Sequence, residues 1–105
     1  MSNKKKIEEL ERDIKIIKDE FWSIGPIRPG SISHQERTRD GKPYGKYWQL
    51  SYTFAGKGHT DYVPKRLLQQ LRMETKNYEN FKKLEEKYIL LSIELSKLKM
   101  KTDIE

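Results

Sequence analysis

A chain of 105 residues has room for one small domain, and with 36% of its residues charged, 34% hydrophobic and a mean hydropathy of -0.96 it cannot bury a deep core. The 22 Lys and Arg exceed the 16 Asp and Glu to give a net charge of +6, which points to a polyanionic partner, while the absence of cysteine excludes disulfides, thiolate metal centres and a cysteine nucleophile. The basic start Lys4-Lys5-Lys6 runs into a charged amphipathic pattern instead of an apolar segment, so the expectation is a cytoplasmic protein with neither signal peptide nor membrane span.

The first element is a helix over residues 4–23, in which Ile7, Leu10, Ile14, Ile17 and Phe21 alternate threes and fours along one stripe. Ser2 or Asn3 would cap it, and Ile24-Gly25-Pro26 would end it. A three-stranded antiparallel meander is predicted over residues 30–63. Its first strand starts at Gly30-Ser31-Ile32 and runs to Arg37, followed by a turn-rich loop, Arg39 to Gly45. The second strand, Tyr47 to Phe54, alternates with Trp48, Leu50, Tyr52 and Phe54 on a core face and Tyr47, Gln49, Ser51 and Thr53 on a polar one. Ala55-Gly56-Lys57-Gly58 turns the chain into a third strand, His59 to Val63. A three-residue loop would pair Tyr52 with Tyr62 and a two-residue Gly-Lys turn would pair it with Asp61; the first is the expected register. Pro64 then opens a long helix over residues 65–100, with Leu67, Leu68, Leu71, Tyr78, Phe81, Leu84, Tyr88, Leu91, Leu95 and Leu98 on its seam.

The predicted fold is therefore α+β, a single domain over residues 1–105 in which the two helices form an antiparallel, coiled-coil-like hairpin. Phe21 is expected near Leu71 to Tyr78 and Ile7 near Leu91 to Leu98. Around Tyr88 the long helix is apolar on more than one face, so Ile89, Leu90 and Ile93 are candidates for a protein interface, including one with another copy of the chain; alternatively they only widen the intramolecular seam.

The charge is not spread evenly. Residues 1–24 are neutral overall, residues 67–105 carry +1, and residues 25–66 carry +5. Concentration of the excess on the β module is the footprint of phosphate binding. Arg37, Arg39, Lys42, Lys46 and Lys57 are the candidates for phosphate or groove contact, Gln35 and Gln49 for base edges, and Lys65 and Arg66 for the backbone. Tyr44 and Tyr47 are the candidates for stacking on bases. The competing reading is an ordinary solvated sheet face.

The run Gly30-Ser31-Ile32, then Gly45-Lys46-Tyr47-Trp48-Gln49-Leu50-Ser51-Tyr52, Tyr62-Val63-Pro64-Lys65, Asn77-Tyr78, Phe81 and Leu91-Ser92-Ile93-Glu94-Leu95 resembles an uncharacterised family of small bacterial and archaeal proteins, over roughly residues 25–98. That resemblance implies a transposon or phage setting and brings no established activity. The family's first loop typically carries Cys-Gly-Lys and further cysteines, as if for a metal; here Gly41-Lys42 stands without them, so a metal role that the resemblance suggests has no support in this chain. Over residues 30–70 the strand and turn residues are also similar to the three-stranded DNA-binding modules of tyrosine recombinases, which lay a sheet in the major groove.

Catalytic readings are weak. His34, Asp40, His59 and Asp61 lack the spacing of a metal motif, Ser31, Ser33 and Ser51 lack a nucleophile elbow, and Gly56-Lys57-Gly58 is a hairpin turn instead of a phosphate loop. The expectation is a non-enzymatic accessory protein without cofactor or metal, which binds nucleic acid, duplex DNA in preference to RNA, as a homodimer or within a larger nucleoprotein complex. The alternative is a protein-binding accessory subunit or inhibitor of a nucleic-acid enzyme that acts through the helical hairpin or the basic sheet.

Overall fold

The computed structural model describes residues 3–104, the side chains of residues 44, 103 and 104 excepted, and its order is helix, three-stranded antiparallel sheet, long helix. Helix α1 is Asn3–Ser23, strands β1, β2 and β3 are Ser31–Arg39, Lys42–Phe54 and Lys57–Val63, and helix α2 is Leu68–Ile104 after a short 3₁₀ turn at Lys65–Leu67. The α+β architecture read from the sequence is the observed one. Of the two caps expected for α1, Ser2 lies outside the described residues and Asn3 is the first residue of the helix. The chain divides into two compact units, a helical one comprising α1 through Ile24 with α2 from Asn80, and a sheet unit from Gly25 to Glu79.

In the helical unit Ile14 and Ile17 are buried, and Phe21 packs edge-on against Phe81 at 5.4 Å and tilted against Tyr88 at 6.2 Å. Towards the other end Glu11 pairs with Lys99 at 3.5 Å, so the two helices run antiparallel. The seam is displaced from its expected register. Phe21 meets Phe81 and Tyr88 instead of Leu71 to Tyr78. The reason lies at the start of α2: Pro64 holds an extended conformation (ψ 136°) and caps a 3₁₀ turn, Leu67 N donating to Pro64 O at 2.9 Å, so the α-helix starts at Leu68 and its first turns belong to the sheet unit. Helix α1 ends with Ile24 N donating to Phe21 O and Ser23 Oγ donating to Glu20 O, just before Gly25-Pro26.

In the sheet unit the strand order is β1-β2-β3 and both hairpins close through two-residue turns. Asp40 and Gly41 lie at φ 53° and 77°, and Ala55 and Gly56 at φ 54° and 78°, the positive pair that a type I′ turn requires. Both observations correct the sequence reading. The loop expected over residues 39–45 is a tight turn from which β2 departs at Lys42. The second turn is Ala55-Gly56, so Tyr52 pairs with His59, neither with Tyr62 nor with Asp61, and Tyr62 pairs with Gln49. Alanine in a left-handed conformation is disfavoured, which makes Gly58 the better left-handed residue by local preference; the strand twist imposes the primed turn regardless.

One sheet face carries the core of this unit. Leu50 and Val63 are about 1% exposed, and each contributes about 1.5–3 kcal/mol by its burial. Arg72 of α2 lies over the Trp48 ring at 5.1 Å, and Arg28 lies over Tyr52 at 4.6 Å while bonded to Asp61. The segment before β1 is tied to α2 by Arg28 N donating to Glu74 O at 3.0 Å and Asn77 Nδ2 donating to Pro26 O at 2.9 Å. Phe54 shares the phase of this face but is 69% exposed, against the expectation of a core residue, because it stands beside the turn as the last residue of β2, paired with Lys57.

Candidate nucleic-acid interface

Side chains on paired residues project to the same side of a sheet, so the register fixes which residues share a face. Across the face opposite the Leu50 core run Ser31, Ser51 and Thr60; then Ser33, Gln49 and Tyr62; then Gln35 and Tyr47; then Arg37 and Gly45; and last Arg39 and Lys42 beside the turn. None of these residues is buried, and Tyr62 is 63% exposed. No carboxylate falls on this phase of any of the three strands: Glu36 and Asp61 belong to the other face and Asp40 to the turn.

A β-bulge assembles the cationic end. Register runs Arg37 to Gly45 and then Thr38 to Pro43, leaving Tyr44 as the additional residue of β2. An unbroken ladder would set Pro43 opposite Arg39; the extra residue sets Lys42 there instead, so the three cations gather on one face. Arg37 is held with its guanidinium 4.9 Å from the Tyr47 ring centre, and Gln35 Nε2 donates to Ser33 Oγ at 3.0 Å. These contacts pre-set two side chains of the types that bond guanine and adenine edges bidentately, next to donors for phosphate oxygens.

The candidates divide between faces. Gln35, Arg37, Arg39, Lys42, Tyr47 and Gln49 share the acid-free face. Lys46 and Lys57 share the other one, where Lys46 stands opposite Glu36 and Lys57 opposite Phe54. Lys65 and Arg66 are exposed on the 3₁₀ turn. The Tyr44 side chain lies outside the described ones. Tyr62 and Thr60 also join the face, although the sequence reading does not single them out, because the expected register turns Tyr62 towards Tyr52; only recognition of the Ala55-Gly56 turn would have placed them.

The histidines are engaged in ring stacks on the core-bearing face, His34 on Trp48 at 4.1 Å and His59 on Tyr52 at 5.0 Å. Among the described residues no group of three or more His, Asp or Glu is placed to hold a metal ion, and no helix is long and apolar enough to cross a membrane. In the helical unit Ile89, Leu90 and Ile93 are 51%, 56% and 47% exposed.

Fold and face together define a small α+β protein whose three-stranded meander presents a polar, cationic face with no carboxylate among its strand residues. The chain belongs to the family described as a domain of unknown function, DUF6788, whose model matches residues 7–73. That span takes in most of α1, the whole sheet and the first turns of α2, so it starts earlier and ends sooner than the resemblance read from the sequence. No curated protein and no solved structure matches the chain.

Proposed function

We propose that the protein is a non-enzymatic, cytoplasmic accessory protein of a mobile element that binds duplex DNA through the acid-free face of its sheet. One observation carries this reading: the bulge at Tyr44 and the two primed turns collect Arg37, Arg39 and Lys42 with Gln35 and Gln49 on one solvent-facing surface whose strand residues include no carboxylate. Arg37, Arg39 and Lys42 meet phosphates at the β1–β2 end, Gln35 and Gln49 reach base edges, and Tyr47 and Tyr62 provide apolar contact to sugars and thymine methyls. A long two-stranded ribbon has the width to enter a major groove. The transposon or phage setting rests on the family resemblance alone.

The test is fluorescence anisotropy of labelled duplex DNA, single-stranded DNA and RNA across a salt series. The expected result is preferential duplex binding whose log–log slope against salt reaches about three for the three cations of the face. A folded protein that binds none of the three at low salt sinks the reading.

A second reading has its own support. The exposed Ile89, Leu90 and Ile93 favour an accessory subunit or inhibitor that docks on a nucleic-acid enzyme through α2. Retention of a purified partner enzyme by the wild-type chain but not by Leu90→Asp is the result that reading requires.

A further inference from the structure

We infer that the outer face of α2 is covered by a second copy of the same chain, packed antiparallel about a two-fold axis near Ile93. Within the helical unit Leu84, Tyr88, Leu91, Leu95 and Leu98 are half-buried on the side that α1 occupies. At 3.6 residues per turn Ile93 lies about 160° round the helix from Leu95, and Ile89, Leu90 and Met100 cluster with it. Their exposures are 51% for Ile89, 56% for Leu90, 47% for Ile93 and 58% for Met100, so α2 carries an apolar stripe on the side away from its intramolecular partner. Ser92 and Ser96 border the stripe and allow close approach.

Charge selects the occupant. Glu86 stands on the stripe at its N-terminal end and Lys97 and Lys101 at its C-terminal end, and none of the three enters an ion pair of the described residues. Two parallel copies would set like charges against each other. Two antiparallel copies centred on Ile93 set Glu86 of each between Lys97 and Lys101 of the other, and Ile89 beside the stem of Lys97, twice over by symmetry. Antiparallel packing thus pairs Glu86 with the lysines of the other copy, against one opposing pair, Lys83 level with Lys101 of the other copy. Four half-exposed apolar side chains offer on the order of 400 Å² per copy, so the pair buries roughly 800 Å² of apolar surface, and the flanking stems must supply the rest of the about 1,200 Å² that a specific interface needs.

The chain has no cysteine, so single cysteines report the axis cleanly. Ile93→Cys, Glu86→Cys and Lys97→Cys are oxidised separately and resolved on non-reducing gels, and the wild-type mass is followed by light scattering on the order of 10–100 μM. The expected outcome is a wild-type dimer and a cross-link through position 93 alone, since only a residue at the axis faces its own copy. Ile93→Glu, an exposed position whose change leaves the helical circular dichroism intact, yields monomers. Glu86→Lys weakens the dimer at least tenfold, and Glu86→Lys with Lys97→Glu in one chain restores it. A wild-type monomer throughout the range, equal cross-linking at all three positions, or a double swap no better than the single one overturns the inference. These readouts contain no nucleic acid, so their outcome is independent of whether the sheet binds DNA.

Discussion

Three cations on one face and two on the other give a sharp test at single residues. Arg37, Arg39 and Lys42 stand on the face whose strand residues include no carboxylate, whereas Lys46 faces Glu36 in register and shares its face with the Leu50 core. Removing one cation that neutralises a phosphate lowers the salt slope by about one, so Arg37→Ala, Arg39→Ala and Lys42→Ala are each expected to do so, with Lys46→Ala leaving it unchanged. Equal effects from Lys46 and Arg37 in the same anisotropy titration would show a diffuse field instead of a defined face. A different residue limits folding. Gly30 lies at φ 136°, and a Cβ there would come within 2.9 Å of Ser51 O and 3.1 Å of Leu50 Cγ, both part of the fixed sheet. Gly30→Ala therefore costs about 1–3 kcal/mol, measured as a lowered urea midpoint, while alanine at Arg37, Arg39 or Lys42, all exposed, leaves stability within about 0.5 kcal/mol of wild type.

The elements show what a sequence pattern carries and where it stops. Alternation places the faces of β2 correctly, since Trp48, Leu50 and Tyr52 are on the core-bearing side and Tyr47 and Gln49 on the other. Period alone does not set partners, and the partners of β2 depend on turns. Each hairpin uses two residues at positive φ, Asp40-Gly41 in the first and Ala55-Gly56 in the second, and local preference argues against the alanine. That single residue moves Tyr62 from the core side to the candidate face. The bulge at Tyr44 is equally hidden: an inserted residue has no composition of its own, and it decides the side on which Lys42 stands. Helix α2 is legible in its apolar spacing but not in its partner, because threes and fours fit a seam at any whole number of turns. The primed turn yields a direct check. Asparagine tolerates the left-handed conformation that Ala55 is forced to adopt, so Ala55→Asn is expected to stabilise the protein by about 0.5–1 kcal/mol, raising the urea midpoint without changing its slope. Loss of stability would mean that the turn does not close as described.

Taken over the whole molecule, the cations that pack on the core, Arg28 and Arg72, are not those of the candidate face, and salt separates binding from folding. Of the net charge of +6, residues 25–66 carry +5, and the strand positions that share a face with Arg37, Arg39 and Lys42 include no acidic residue. Folding draws little on the cations of that face: the core residues are Ile14, Ile17, Leu50 and Val63, the Arg28–Asp61 pair lies on the other face, and the ion pairs of the helices, Lys76 with Glu79, Lys82 with Glu85 and Lys99 with Glu11, are exposed. Exposed pairs of that kind contribute about 0–1 kcal/mol each and are screened within a Debye length of about 10 Å at 0.1 M salt. Raising salt from about 50 to 200 mM should therefore weaken DNA binding by roughly 40-fold, for three neutralised phosphates, while the thermal midpoint of the free protein moves by no more than a few degrees. Anisotropy and circular dichroism on the same samples measure both. If the midpoint fell in step with affinity, the cations of the sheet would be holding the fold together, and their place on an acid-free face would be structural instead of a surface kept open for phosphate.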